Sequence, residues 1–167
     1  MSEKINREYK DRLFSFIFGK EENKAWTLSL YNAMNGTGYT DENAIEITTM
    51  SDTVYMGMKN DVSFIVSDML SLYEQQSSFN PNMPVRQLMY LGRQYDRYIE
   101  ETNQNIYGSR QMYLPVPQLV TFYNGDDETE DRILKLSDSF ERNAELSDVQ
   151  VKVRMINITG RRLRICV

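Results

Sequence analysis

Between Glu8 and Phe18 the apolar residues Tyr9, Leu13, Phe14, Phe16 and Ile17 recur on a largely helical spacing, and Gly19 stands where a C-cap would. A helix is predicted there. A second is predicted from Glu21 to Asn35, with Trp26, Leu28, Leu30, Tyr31 and Met34 along it and Gly36 as its stop. The pattern then changes. From Ala44 to Gln76, Ile, Thr, Val, Tyr and Phe dominate, interrupted by Ser51-Asp52, Lys59-Asn60 and Ser67-Asp68. This predicts a meander of strands at about 44–50, 53–58, 61–66 and 69–76.

Asn80-Pro81-Asn82-Met83-Pro84 reads as a loop entering a third helix, with Pro84 in its first turn. Val85, Leu88, Met89, Tyr95 and Ile99 form the expected apolar face of that helix, which should run to about Glu101. After Pro117, Gln118 to Tyr123 reads as a strand stopped by Asn124-Gly125. The acidic stretch Asp126 to Asp131 reads as a solvated loop. Finally Val149, Val151, Val153 and Met155 alternate with Gln150, Lys152 and Arg154, the clearest period-2 strand pattern in the chain. The mixture of helices and strands over 167 residues predicts a single α/β domain spanning 1–167.

Composition narrows the chemistry more than the fold. Apolar residues at 41% and charged residues at 26% are ordinary for a globular protein. No apolar run approaches the ~20 residues of a membrane helix, and Met1 to Glu8 lacks the apolar core of a signal peptide, so no membrane partner and a cytoplasmic location are expected. The lone Cys166 fits a reducing compartment. The chain has no histidine, which excludes Ser-His-Asp and Cys-His hydrolysis and His-ligated zinc. Any hydrolytic chemistry must therefore rest on carboxylates. A net charge of −5 disfavours a nucleic-acid binder held by bulk electrostatics but leaves room for a local basic groove.

Asp61 opens one predicted strand, and Glu74 and Gln76 lie two apart on the next, so their side chains share a face. Two carboxylates converging there would suit Mg²⁺ or Mn²⁺, hard cations that take oxygen ligands and activate water. Spacing alone favours a blander reading, in which Asp61 is a turn residue and Glu74 and Gln76 lie on a solvated strand face.

The segments Asn60-Asp61-Val62-Ser63-Phe64, Tyr73-Glu74-Gln75-Gln76-Ser77-Ser78 and Asn80-Pro81-Asn82-Met83-Pro84-Val85-Arg86, with Tyr90, resemble the PD-(D/E)XK nuclease family transposases and their relatives, the Rpn recombination-promoting nucleases. Lys10-Asp11-Arg12-Leu13-Phe14, Phe18-Gly19-Lys20, Leu114-Pro115-Val116-Pro117, Phe122-Tyr123-Asn124-Gly125 and Leu136 to Phe140 extend the likeness over residues 8 to 158. The resemblance implies a restriction-endonuclease-like core, a mixed central β-sheet flanked by helices, and Mg²⁺- or Mn²⁺-dependent cleavage of DNA associated with mobile elements. It implies Asp61 and Glu74 as metal ligands, with a backbone carbonyl from Gln75, and Gln76 where the wider superfamily carries Lys. A glutamine there orients water but brings no positive charge. Asp11 matches a recurrent family acid at the site's edge. The final Gly160 to Val167 does not look like the family's continuation, so a C-terminally truncated copy is expected, with an inactive remnant as the alternative to an active enzyme.

On the third helix Arg86, Tyr90, Arg93 and Arg97 fall in one stripe, predicted to lie opposite most of the apolar face. DNA phosphates are the expected partner of Arg86, Arg93 and Arg97, with Arg86 the strongest candidate because the family pattern includes it. The competing reading is a solvated face whose arginines pair with nearby acids. A homodimer is expected by analogy with nucleases that cut two strands. A DDE transposase is disfavoured, since its three acids are spread much more widely than Asp61 and Glu74. A β-edge binding module has no positive signal.

Overall fold

The computed structural model describes residues 13–49, 61–125, 129–142 and 144–159. Helical residues 13–18 (α1) and Lys24–Asn35 (α2) precede β1 (Ile45–Ile47), β2 (Val62–Val66) and β3 (Met69–Gln76). α3 (Met83–Glu101) crosses to β4 (Val116–Tyr123), and β5 (Arg132–Lys135) and β6 (Lys152–Asn157) follow. The chain is thus a mixed α/β fold. Among the described residues the sheet has six strands in the order β1-β2-β3-β4-β6-β5. β1, β2 and β3 pair antiparallel, while β3, β4 and β6 run parallel, which α3 and the segment after β4 make possible by carrying the chain back between strands. β5 closes the far edge antiparallel to β6.

Strand alternation divides the core in two. Val62, Phe64, Val66, Tyr73, Val120 and Phe122 face α1 and α2 and pack on Phe14, Phe18, Leu28, Leu30 and Tyr31. Leu70, Leu72, Leu119, Tyr123, Val153 and Met155 face the other way, with Met83 and Tyr90 of α3. Burying a side chain of this size contributes roughly 1.5–3 kcal/mol. On the first face the rings of Phe18, Phe14, Phe122, Tyr73 and Phe64 touch in series, with centroids 5.1–5.6 Å apart.

Several expectations change in detail. Glu21–Asn23 forms a 3-10 turn, so α2 begins at Lys24; it ends as predicted on Gly36, whose φ of 65° is left-handed. The Ser67-Asp68 turn joins β2 to β3 as predicted, with Ser67 at φ 58°. β1 is shorter than 44–50, and the strand predicted at 53–58 lies outside the described residues. β6 sits later than Val149 to Met155, because it pairs with β4 only from Val120↔Arg154 to Tyr123↔Asn157. Val149 is left exposed. β5 was not anticipated: its Ile133 and Leu134 are adjacent rather than alternating, and Arg132 and Lys135 flank them as charges on an edge strand. Trp26 of α2 is 41% exposed, lining an open pocket of about 500 Å³ between α2 and residues 37–42. Tyr107 and Tyr113 are exposed as well. No helix among the described residues is long and apolar enough to cross a membrane.

The largest correction concerns α3. It buries Met83, Pro84, Gln87, Tyr90 and Gln94, whereas Val85 and Met89 of the predicted apolar face point outward. The sheet surface beneath presents polar acceptors among its apolar side chains. Gln87 Nε2 donates to the Val120 carbonyl (3.0 Å) and Thr121 Oγ1 (3.2 Å), and Gln94 Nε2 donates to the Thr48 carbonyl (3.0 Å) and Ser63 Oγ (2.8 Å). Amides satisfy these buried acceptors and methyl groups cannot. Gln94→Leu should therefore cost roughly 1–3 kcal/mol in urea unfolding, and Met89→Gln should stay within about 0.5 kcal/mol. A larger loss in Met89→Gln than in Gln94→Leu would contradict this docking.

Candidate functional site

Asp61 immediately precedes β2, and the Val62↔Tyr73 pairing puts it level with Glu74 at one end of the β2–β3 ladder. The two residues interlock. The Asp61 backbone N–H donates to Glu74 Oε1 (3.1 Å), and the Gln75 N–H donates to Asp61 Oδ2 (2.8 Å). Glu74 and Gln76 project from β3 toward α3, and Gln75 projects to the opposite face, as their spacing predicted. Their face is not solvated: Glu74 is 1% and Gln76 7% exposed. The reading of these two as surface residues is overturned.

Burying a carboxylate without compensation is costly, and α3 supplies a partner. Arg86 Nη2 donates to Glu74 Oε2 at 3.2 Å and to the Tyr90 hydroxyl at 3.2 Å. Even so, burial first and the charge of Asp61 second push the Glu74 carboxyl up to about 8, with Arg86 and the Asp61 N–H pulling the other way. Gln76 Nε2 rests 3.6 Å from Met155 Sδ, a weak acceptor. Its Oε1 is buried and accepts nothing among the described residues, and the same holds for Oε1 of Gln87.

These groups lie close together. Thr121 pairs with Glu74 on one side and with Met155 on the other, and Gln87 bonds Thr121 from above. A buried polar cluster of Glu74, Gln76, Gln87 and Thr121 thus lies between the sheet and the first turns of α3. Gln87 and Thr121 were not singled out from sequence. The available signal was the seven-residue interval between Gln87 and Gln94, which places two amides on one helix face.

Of the arginine stripe, the structure brings only Arg86 to the acids. It borders the buried face of α3 rather than opposing it. Arg93 has a buried Nη1 without a partner among the described residues. Arg97, about 16 Å further along the helix axis, bonds Glu101 Oε1 (2.7 Å) and meets the Thr48 carbonyl at 3.5 Å. Asp11 lies outside the described residues. From α1, Gly19 approaches the site: a Cβ there would sit 3.2 Å from the Asp61 carbonyl and 2.7 Å from that of Ser15.

The donors gathered here are carboxylate and amide oxygens, a set suited to Mg²⁺ or Mn²⁺ and poorly suited to softer metals. Each carboxylate oxygen can accept in two directions, and the unpaired Gln76 Oε1 can accept from a water. The residues therefore fit a hard cation that keeps several waters. Among the described residues no cluster of three or more His, Cys, Asp or Glu forms, so such an ion would have at most two acidic ligands from them. No protein-family profile, characterised protein or solved structure matches this chain.

The raised Glu74 carboxyl has a measurable consequence. The folded protein keeps this proton to about 8, while the unfolded chain releases it near 4.5, so the fold holds more protons between those values and loses stability as pH rises through that window. Calorimetric Tm measured from pH 5 to 8 in chelator should fall more steeply in wild type than in Glu74→Gln; parallel curves would refute the assignment. Gly19→Ala should lower stability by about 1–3 kcal/mol through overpacking against the Ser15 and Asp61 carbonyls, which urea titration would detect.

Proposed function

We propose that this chain is a metal-dependent DNA endonuclease of the PD-(D/E)XK type, acting in the cytoplasm on a restriction-endonuclease-like core and associated with mobile elements or recombination. The observation that carries this reading is the meeting of Asp61 and Glu74 on neighbouring strands, hydrogen-bonded to each other's segments, with Gln76 two residues on along the same face. The mixed sheet with helices on both faces is compatible with that core.

In this reading Asp61 and Glu74 hold one or two Mg²⁺ or Mn²⁺ ions, and the Gln75 backbone carbonyl is a further ligand. The cation supplies Lewis acidity and an acidified water for attack on phosphorus. Gln76 positions that water through Oε1, a buried acceptor with no donor among the described residues. It brings no charge, so the positive group beside the reacting phosphate is Arg86, whose guanidinium stands next to Glu74. Arg93 and Arg97 continue the basic track along α3 toward further phosphates, and Asp11 is an additional acid at the edge. With a chain charge of −5, DNA attraction must come from this local track rather than the whole surface. A homodimer would supply a second site for the second strand.

One observation favours a second reading, an inactive nuclease-fold remnant. Both acids already have structural partners, Glu74 in Arg86 and Asp61 in the Gln75 N–H.

Plasmid nicking with Mg²⁺ or Mn²⁺ separates the two. Asp61→Ala and Glu74→Ala should each reduce wild-type cleavage by about a hundredfold or more. Equal cleavage by all three proteins would put the activity elsewhere, and no cleavage by folded wild type would favour the remnant.

A further inference from the structure

The open pocket between α2 and residues 37–42 shares no residue with the site at Asp61 and Glu74. Its volume of about 500 Å³ falls within the range of small-molecule sites, roughly 300–1,000 Å³. Small side chains make the room, since Ala25, Ser29 and Ala33 recur every four residues along α2 and all three line it.

The loop that forms the other wall is tied to the helix. Asn32 Nδ2 donates to the Tyr39 carbonyl (2.8 Å), and its Oδ1 accepts from the Tyr39 N–H (3.0 Å) and the Thr37 hydroxyl (2.8 Å). The Tyr39 ring leans on that of Tyr31, with centroids 6.0 Å apart. Asp41 Oδ1 accepts from the Asn43 N–H at 2.9 Å and so sets the 3-10 turn Glu42–Ala44. Both walls are in place before any ligand arrives, which keeps the ordering cost of binding low.

The chemistry of the lining selects the ligand. Trp26 and Tyr39 are each 41% exposed, so both offer aromatic surface to an occupant. Glu42 alone among the lining residues is charged, and no Lys or Arg among the described residues pairs with it. Two lysines close in sequence are engaged elsewhere: Lys24 pairs with Glu21 at 2.7 Å, and Lys20 lies over the Phe16 ring. A phosphate or carboxylate ligand would meet the charge of Glu42 with no lining cation to offset it. An alkylated ammonium gains twice, because aromatic rings attract weakly hydrated cations and the carboxylate adds Coulomb attraction.

We propose that this pocket binds a small organic cation, an alkylated ammonium group on an apolar body. Trp26 and Tyr39 hold the cationic group, Glu42 supplies the counter-charge, and the apolar body rests against Leu28 and the small residues of α2. The proposal stands independently of the nuclease reading.

Trp26 is the sole tryptophan of the chain, so intrinsic tryptophan fluorescence reports on this pocket. The full chain is titrated with benzyltrimethylammonium, and with benzyl alcohol and benzoate as neutral and anionic counterparts. The cation should change the emission along a saturating curve with a Kd of about 1 mM or tighter. It should bind about fivefold or more tightly than benzyl alcohol, and benzoate should not saturate. Glu42→Gln should weaken the cation about threefold and leave benzyl alcohol unchanged. Tyr39→Leu should also weaken the cation about threefold or more.

Unchanged emission, or linear quenching equal to that of free N-acetyltryptophanamide, overturns the proposal. Benzyl alcohol or benzoate binding as tightly as the cation overturns it as well, because the pocket would then lack the charge preference assigned to it. Undiminished cation affinity in folded Glu42→Gln removes the counter-charge and sinks the proposal; if that variant does not fold, the ranking of the three probes on wild type still decides.

Discussion

Glu74 is a carboxylate with 1% of its surface exposed, held near the end of β3 beneath a helix. Few groups are as costly to bury, since the charged form loses its hydration and must recover it from neighbours. The backbone of Asp61 and the guanidinium of Arg86 supply that recovery from opposite sides. One ties β2 to β3 where their ladder ends, and the other fixes the first turns of α3 over the same point. The position of the helix relative to the sheet thus depends on an interaction that brings a second carboxylate and a cation into the same small space.

The rest of α3 follows the same physics. Gln87 and Gln94, two turns apart, answer backbone carbonyls and hydroxyls on β4, β2 and the residue after β1. Directional bonds of this kind set both the rotation and the axial position of a helix, where apolar contact alone would tolerate sliding. Rotation in turn decides which residues look into the site. With Gln87 and Gln94 down, Arg86 and Tyr90 border the acids while Val85 and Met89 face solvent.

This rotation also marks where sequence reading succeeded and failed. Elements whose burial is apolar and periodic were legible: the Leu28 to Tyr31 face of α2, the Gly36 stop, the β2–β3 hairpin and the strand after Pro117 all stand close to their predicted places. The α3 orientation was not, because counting apolar residues cannot see that the opposing sheet presents acceptors. β5 was missed because Arg132-Ile133-Leu134-Lys135 pairs on one side only and so lacks the alternation of a strand covered on one face. Within the site, strand parity correctly put Glu74 and Gln76 together and Gln75 opposite. Burial of that face depends on α3 lying over it, and no local pattern encodes that.

Could Glu74 and Arg86 serve the fold alone? Replacing a buried ion pair by well-packed apolar residues is often neutral or stabilising, so structural need is a weak reason for the pair to exist. The neighbourhood repeats this imbalance. Gln76 Oε1 and Gln87 Oε1 are buried acceptors with no donor among the described residues, and Met155 is a poor partner for the Gln76 amide. One such departure would be unremarkable in a domain of this size. Two of them, Gln76 Oε1 and Gln87 Oε1, lie beside two adjacent acids, a placement that the ligand-site reading accounts for and packing alone does not. The local departures and the carboxylate geometry therefore support the same reading, although each comes from a different part of the physics.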